Sequence, residues 1–326
     1  MATANPHQVG NIQWRENSRK KKERFIEGQH VSLDELSEQN VMIKYLGKKI
    51  FIPPYPTPVE FWVKDVAHVT NKSGFMAILE SELFGPPNSK FSWWDLKINE
   101  EEIRAAEARY MQRNFPNQAQ EPNEEEPFLE KFTTSPQFQL KTSRYGNYRF
   151  TFPLTELMQE YKEQNCGGAE PVLRVYETIT YSQEIVYAVL IHSPEDNQRF
   201  RIYPLLETSD WVRYNDGKII WKAQAICETH EFKFNSCEER IQSRAEKQSD
   251  FEYYVWDHVS LLFHLPNDAS IKIPRRRLIK ALDACKLDEI DLSGYQGTKT
   301  NEERFLEAET IVGGLKRDLE GFGELL

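Results

Sequence analysis

A histidine and a glutamate, far apart in the sequence, stand at the ends of two predicted strands. His68 lies near the end of FWVKDVAHVT, residues 61–70, and Glu184 opens the apolar run EIVYAVLIH. An imidazole offers one donor and one acceptor, and a carboxylate can stabilise positive charge that develops on a substrate. A structural role for the histidine and a surface position for the glutamate are the alternatives, since strand ends often carry such residues.

Aromatic residues between these two positions could stack a flat ring. The strand-like stretch KFSWWDLKI contains Trp93 and Trp94, and a later strand, GNYRFTFPL, lies beside Tyr145 and includes Tyr148. Adjacent strand residues face opposite sides, so core and rim packing is the alternative reading of the tryptophan pair.

The order of these features over about residues 60–205 resembles the ADP-ribosyltransferase superfamily, its PARP-like branch in particular. A His-x-Thr strand is followed by a helix, an aromatic strand, and a glutamate before an apolar strand. The resemblance implies NAD as cofactor and transfer of ADP-ribose to a macromolecule, with retention of catalysis left open. No metal is expected. The resemblance also implies the site residues: a catalytic Glu184, with His68 and Thr70 holding NAD. The stacking residue for nicotinamide is left open among Trp93, Trp94, Tyr145 and Tyr148.

The elements that must position these residues alternate irregularly, which favours an α+β fold rather than a doubly wound sheet. We expect a mixed or antiparallel split sheet with flanking helices, as in ADP-ribosyltransferases, plus a C-terminal α+β extension. The expected domains are a polar arm and connector at 1–58, the ADP-ribosyltransferase-like domain at 59–205, and a hairpin and helical extension at 206–326.

Local signals define several elements. NKSGFMAILESELFG predicts a helix with Phe75, Ile78, Leu79 and Leu83 on one face, and Asn99 is a predicted N-cap. Ser32 and Glu35 form a predicted capping box. VLRVYETIT and EIVYAVLIH form a predicted hairpin, and Asn215-Asp216-Gly217 forms the turn of another.

Composition narrows the class of protein. The 326 residues are 39% hydrophobic with a net charge of −10, which is typical of a globular protein without a basic coat for nucleic acid. No run is long and apolar enough for a membrane span or a signal peptide, so we expect a cytoplasmic or nuclear protein with reduced cysteines and no membrane partner. Cys227, His230 and Cys237 lack an adjacent fourth ligand, so zinc is the less favoured reading of that cluster.

A second function class is a non-catalytic interaction protein on an α+β scaffold. RENSRKKKERF reads either as a solvated arm or helix start, or as a nuclear-import or RNA-contacting arm, and residues 116–127 read as an acidic exposed loop. The unknown partner is expected to be a macromolecule, protein rather than nucleic acid.

Overall fold

The structure is a computed structural model of the chain. It describes residues 10–17, 22–38, 58–85, 90–114, 116, 119–120, 137–138, 141–181, 184–227, 230–237, 240–247, 254–288 and 291–323. At some positions within these ranges, Glu184 among them, only the backbone is described.

Strands make up most of the described elements. In chain order they are β1 (Gln13–Glu16), β2 (Lys22–Glu27), β3 (Val59–Val63), β4 (Asp65–Thr70), β5 (Leu83–Phe84), β6 (Phe91–Lys97), β7 (Ala119–Gln120), β8 (Thr142–Ser143), β9 (Tyr148–Pro153) and β10 (Val172–Tyr181). They continue with β11 (Glu184–His192), β12 (Val212–Asn215), β13 (Lys218–Ala223), β14 (Ala225–Cys227), β15 (His230–Cys237), β16 (Arg240–Lys247), β17 (Tyr254–His264), β18 (Ile271–Lys272), β19 (Leu282–Ala284) and β20 (Lys286–Leu287).

The helices lie between these strands and at the C-terminal end of the described chain. They are α1 (Leu33–Glu38), α2 (Lys72–Ser81), α3 (Glu100–Asn114), α4 (Leu154–Asn165), α5 (Asn197–Phe200), α6 (Arg275–Ala281) and α7 (Asn301–Gly323), with 3-10 turns at Pro194–Asp196 and Leu206–Thr208. None of the helices in the described ranges has the length and apolarity needed to cross a membrane.

A ten-stranded mixed sheet organises the molecule. Its strand order is β1-β2-β10-β11-β17-β6-β4-β9-β19, and β14 pairs with β17 beside this path. The β11–β17 pair is parallel, and the other pairs of this sheet are antiparallel. The expected α+β class with a mixed sheet and flanking helices is therefore confirmed.

One face of this sheet forms the main core. Phe75 of α2 packs on the ring of Phe150 in β9, and Tyr161 of α4 meets Phe263 of β17 at 5.1 Å between ring centroids. Tyr161 and Phe263 are fully buried, and the Tyr161 hydroxyl donates to the carbonyl of His264 at 2.7 Å. Helix packing therefore fixes the strands that carry the predicted site residues.

Several local predictions are confirmed because each depends on a few adjacent residues. The amide of Glu102 donates to Asn99 Oδ1 at 2.9 Å, and the Ser32–Glu35 capping box is present. The β10–β11 hairpin closes at the Tyr181–Glu184 pair, and Asp216 and Gly217 have positive φ between β12 and β13. The cysteines whose side chains are described, Cys166 and Cys285, are buried and form no disulfide with each other.

Other predictions need correction. The single strand expected over residues 61–70 is two strands: β3 pairs with β13 in a small sheet, and β4 pairs in the large one. Helix α2 ends in a left-handed Glu82 rather than at Gly85, so Leu83 leaves the predicted helical face and is 37% exposed in β5.

The large sheet takes strands from all three expected domains, so the expected boundaries do not separate structural units. The polar arm supplies β1 and β2, and the region after 205 supplies β14, β17 and β19. The basic stretch is thus partly strand rather than a helix start, because β2 hydrogen-bonds to the hairpin strand β10. The expected acidic loop and the side chains of Cys227, His230 and Cys237 lie outside what the structure describes.

Candidate functional site

His68 is held within the sheet by its neighbours. Its Nδ1 donates to the carbonyl oxygen of Trp93 at 2.9 Å, and its ring lies 5.3 Å from that of Phe84 and 5.4 Å from that of Trp94. The side chain is half-buried. A carbonyl oxygen can only accept, so Nδ1 carries a proton, and in a neutral imidazole Nε2 is then the acceptor.

The strand register places Glu184 far from His68. The strand pairing through β6 and β17 aligns Ala67, the residue before His68, with Ala188 of β11. Glu184 opens β11, and β11 lies three strands from β4. With strands about 4.8 Å apart and about 3.3 Å of rise per residue, the two Cα atoms are separated by about 20 Å. The described backbone does not bring these two predicted site residues together.

The two tryptophans face opposite sides of the sheet. Trp94 is fully buried, and its indole N–H donates to Ser92 Oγ at 3.0 Å. Trp93 is 38% exposed on the other face. Trp94 is therefore a core residue with no surface open to a ligand, and His68 contacts it as part of that core.

Thr70 and Tyr148 do come together. They are register partners at the end of the β4–β9 pair. Tyr148 is 2% exposed and stacks on Phe75 at 4.2 Å with an interplanar angle of 5°. Beyond this pair lies a cavity of about 350 Å³, here called the β4-end cavity, lined by Asn71, Lys72, Ser73, Gly146, Asn147, Tyr148, Ser293, Tyr295, Lys299, Arg304 and Glu307.

The start of α2 forms one wall of the β4-end cavity. Asn71 caps the helix, with its Oδ1 accepting from the amide of Gly74 at 3.0 Å. The first turn contains no acidic residue. The partial positive charge of the helix start therefore acts toward the cavity together with Lys72.

Close packing of two backbone segments forms the floor of the β4-end cavity. A Cβ added to Gly146 would lie 2.1 Å from the carbonyl oxygen of Thr70. Glycine is thus required where the chain before β9 passes over the end of β4. This contact fixes the position of Tyr148, two residues later, relative to α2.

Lys72 and Lys299 meet across the cavity at one carboxylate. The Nζ of Lys72 lies 2.7 Å from Glu307 Oε1, and the Nζ of Lys299 lies 3.0 Å from Glu307 Oε2. Hydrogen bonds from the two lysines, that from Lys72 foremost, lower the pKa of Glu307. Burial, with the negative charge of Glu307 as the smaller cause, raises the pKa of Tyr148 to about 12. The phenol therefore remains protonated at neutral pH.

Arg304 completes the wall contributed by α7. Its guanidinium lies 4.2 Å from the ring centroid of Tyr295 and 2.7 Å from Asp291 Oδ2. Arg304 is 9% exposed, and its Nε is buried with no acceptor among the described residues. Tyr295 is 41% exposed. The cavity thus combines three cations, one lining carboxylate, an accessible aromatic ring and an unused buried donor.

Most of these cavity residues could not be found from the sequence. Lys72 follows a recognisable N-cap, but Tyr295, Lys299, Arg304 and Glu307 come from the last tenth of the chain. The spacing of Arg304 and Glu307 places them on one face of α7, which was the available signal. Nothing local indicates that this face meets the start of α2.

Known proteins give no further guide. Comparison with family models, with curated proteins and with solved structures found no match. Within the described residues, no group of three or more His, Cys, Asp or Glu side chains could hold a metal ion.

Proposed function

We propose that this protein binds a pyrophosphate-containing nucleotide in the β4-end cavity. The resemblance to ADP-ribosyltransferases implies the NAD class of ligand but placed it beside His68 and Thr70, so the choice of this cavity rests on the residues that line it. The observation that carries the proposal is the cavity itself, where three cations and a helix start lie directly beyond the paired Thr70 and Tyr148. Its volume of about 350 Å³ is in the range of small-molecule sites.

The phosphates and one base of such a ligand have matching groups in the cavity. Phosphate oxygens would accept from Lys72, Lys299 and the Nε of Arg304, and helix starts favour anions for the same electrostatic reason. The exposed ring of Tyr295 offers a stacking surface for a base. Glu307 competes with phosphate for both lysines, so we expect it to move aside on binding.

The chemistry of transfer would break the bond between nicotinamide and ribose. Nicotinamide leaves with the electron pair, and an acceptor nucleophile bonds to the ribose carbon and loses its proton. A carboxylate near the ribose would stabilise the developing positive charge. Glu307 lines the cavity. Glu184, the carboxylate that the resemblance implies, has its backbone about 20 Å from that of His68, with which it was expected to share a site.

That separation favours a second candidate, a non-catalytic interaction protein. Here a bound nucleotide would stabilise the region where α2, β9 and α7 meet, without transfer. The α+β scaffold would then present a surface to a protein partner.

Calorimetry with NAD tests whether the protein binds this ligand. We expect Lys72→Met with Lys299→Met to weaken binding about tenfold or more, because two charge-assisted contacts are lost. Glu307→Gln should bind NAD at least as tightly as the unmodified protein. Lys280→Met, an exposed lysine on α6, is the control. Absence of binding at millimolar NAD would refute the proposal.

Nicotinamide release from labelled NAD then separates the two candidates. Release that is lost in Glu307→Gln but retained in Glu184→Gln would support transfer at the β4-end cavity. Binding without release supports the non-catalytic candidate. Release that depends on Glu184 alone would contradict the assignment of chemistry to this cavity.

A further inference from the structure

Among the described residues that line the β4-end cavity, one aromatic ring is open to a ligand. Two of these residues, Tyr148 and Tyr295, are aromatic. Tyr148 is 2% exposed and stacks on Phe75 at 4.2 Å, so its ring is already covered. Tyr295 is 41% exposed. A ligand in this cavity therefore finds a stacking surface for one flat ring and not for two.

The ring of Tyr295 is held in place from several sides. The Arg304 guanidinium lies 4.2 Å from its centroid, and the amide of Lys299 donates to its hydroxyl oxygen at 3.2 Å. Gly297 packs against the hydroxyl end, where an added Cβ would lie 2.1 Å from that oxygen. A ring that is fixed before the ligand arrives loses little conformational entropy on binding, which favours affinity.

The charges around this ring disfavour a positively charged base. Arg304, which lies over the ring, is balanced by Asp291 at 2.7 Å. Lys72 and Lys299 share the carboxylate of Glu307, so the described lining keeps one positive charge in excess. The nicotinamide ring of oxidised NAD is cationic, and like charges weaken its stacking at this position. A neutral base meets no such repulsion.

The same excess of positive charge favours a ligand with a terminal phosphate. A terminal phosphate carries about −1.5 to −2 charge at neutral pH, whereas each bridging phosphate of a dinucleotide carries a single negative charge. The additional charge strengthens the hydrogen bonds from Lys72 and Lys299. The volume of about 350 Å³ lies near the lower end of the range for small-molecule sites, which suits one nucleoside with its phosphates.

We propose that the β4-end cavity takes a nucleoside diphosphate, with a neutral base and a free terminal phosphate, in preference to NAD. This assignment rests on the nucleotide function proposed above for the cavity. The base stacks on Tyr295, and the terminal phosphate accepts from Lys72 and Lys299 as Glu307 moves aside. These contacts reach the flat ring and the phosphates, so ADP is a suitable probe of the class.

Calorimetry of the full chain with ADP and with NAD, in the absence of divalent cations, tests the preference. We expect ADP to bind about tenfold more tightly than NAD at low salt, and we expect this ratio to fall as salt is added. Equal or tighter binding of NAD would overturn the preference and leave the proposed nucleotide site intact. Absence of binding for both ligands would refute the nucleotide site and the preference together, so the two failures are distinguishable.

Tyr295→Leu tests the stacking contact separately. It should weaken ADP binding about tenfold and leave the binding of inorganic pyrophosphate unchanged, because pyrophosphate has no base to stack. Unchanged pyrophosphate binding also shows that the variant is folded. Tyr295→Phe is the matched control, since it keeps the ring and should retain ADP affinity to within about threefold. Equal ADP affinity in Tyr295→Leu and the unmodified protein would overturn the assignment.

Discussion

Burial of Lys97 makes the stability of the folded protein depend on pH. The ordinary pKa of Lys97, 10.5, falls to about 7 in the folded protein. Between these two values the unfolded chain holds more protons than the folded one, so stability rises with pH. Below the folded pKa the cost of charging the buried lysine is fully present.

We therefore expect the unfolding free energy to rise as the pH is raised from about 7 to about 9, by up to about 1.4 kcal/mol per pH unit from this group. Lys97→Met should remove that part of the slope. Urea denaturation of both proteins across this range measures it, with Lys280→Met as the surface control. An unchanged slope in Lys97→Met would show that the lysine is not the source.

At the scale of single elements, the start of α1 depends on a reciprocal cap. The amide of Ser32 donates to Glu35 Oε2 at 2.9 Å, and the amide of Glu35 donates to Ser32 Oγ at 3.1 Å. Ser32 is 7% exposed, so water is a poor substitute for the lost acceptor.

Ser32→Ala should lower the unfolding free energy by about 1 kcal/mol. Glu35→Gln keeps a side-chain oxygen for the Ser32 amide and should cost less. Chemical denaturation of the two variants gives the comparison. A larger loss in Glu35→Gln would indicate that charge, rather than the cap, dominates.

The junction of β4 and β9 requires a glycine, Gly146, because a larger residue would not fit there. Gly146→Ala would force a Cβ against the Thr70 carbonyl, so we expect a loss of several kcal/mol and displacement of Tyr148. Gly314→Ala is the matched control, because Gly314 lies inside α7 with no other atom within 4 Å of the added Cβ. That change should stabilise by up to about 1 kcal/mol. Thermal unfolding of both variants tests the contrast.

At the scale of the whole molecule, the N-terminal strands are part of the main sheet. Arg15 of β1 donates two hydrogen bonds to Glu177 of β10, at 2.8 and 2.6 Å, across β2. Glu177 is 2% exposed, and burial raises its pKa. A buried carboxylate thus depends on a residue 162 positions away.

Arg15→Met should cost up to about 3 kcal/mol, because it leaves this carboxylate buried without its main partner while Arg15 itself is partly exposed. The double variant Arg15→Met with Glu177→Met should regain much of that loss. The denaturant midpoints of the single and double variants, each compared with the unmodified protein, test this expectation. Equal losses in both would mean that Arg15 acts through packing alone.

Local signals in the sequence determined much of the secondary structure. The Ser32–Glu35 cap, the Asn99 cap and the Asp216-Gly217 turn each depend on residues within a few positions, so their chemistry was readable directly. The β10–β11 hairpin follows from two apolar runs with a short connection. These features needed no knowledge of the rest of the fold.

Tertiary structure alone decided which residues share a site. His68 and Glu184 have suitable types in a suggestive order, but strand order and register separate their backbones. Lys72 and Glu307 show no relation in the sequence, yet they form an ion pair where α2 meets α7. The physical reason is that sheet pairing and helix packing are set by burial of the whole apolar surface. A local pattern fixes which way a residue faces, but not what it meets.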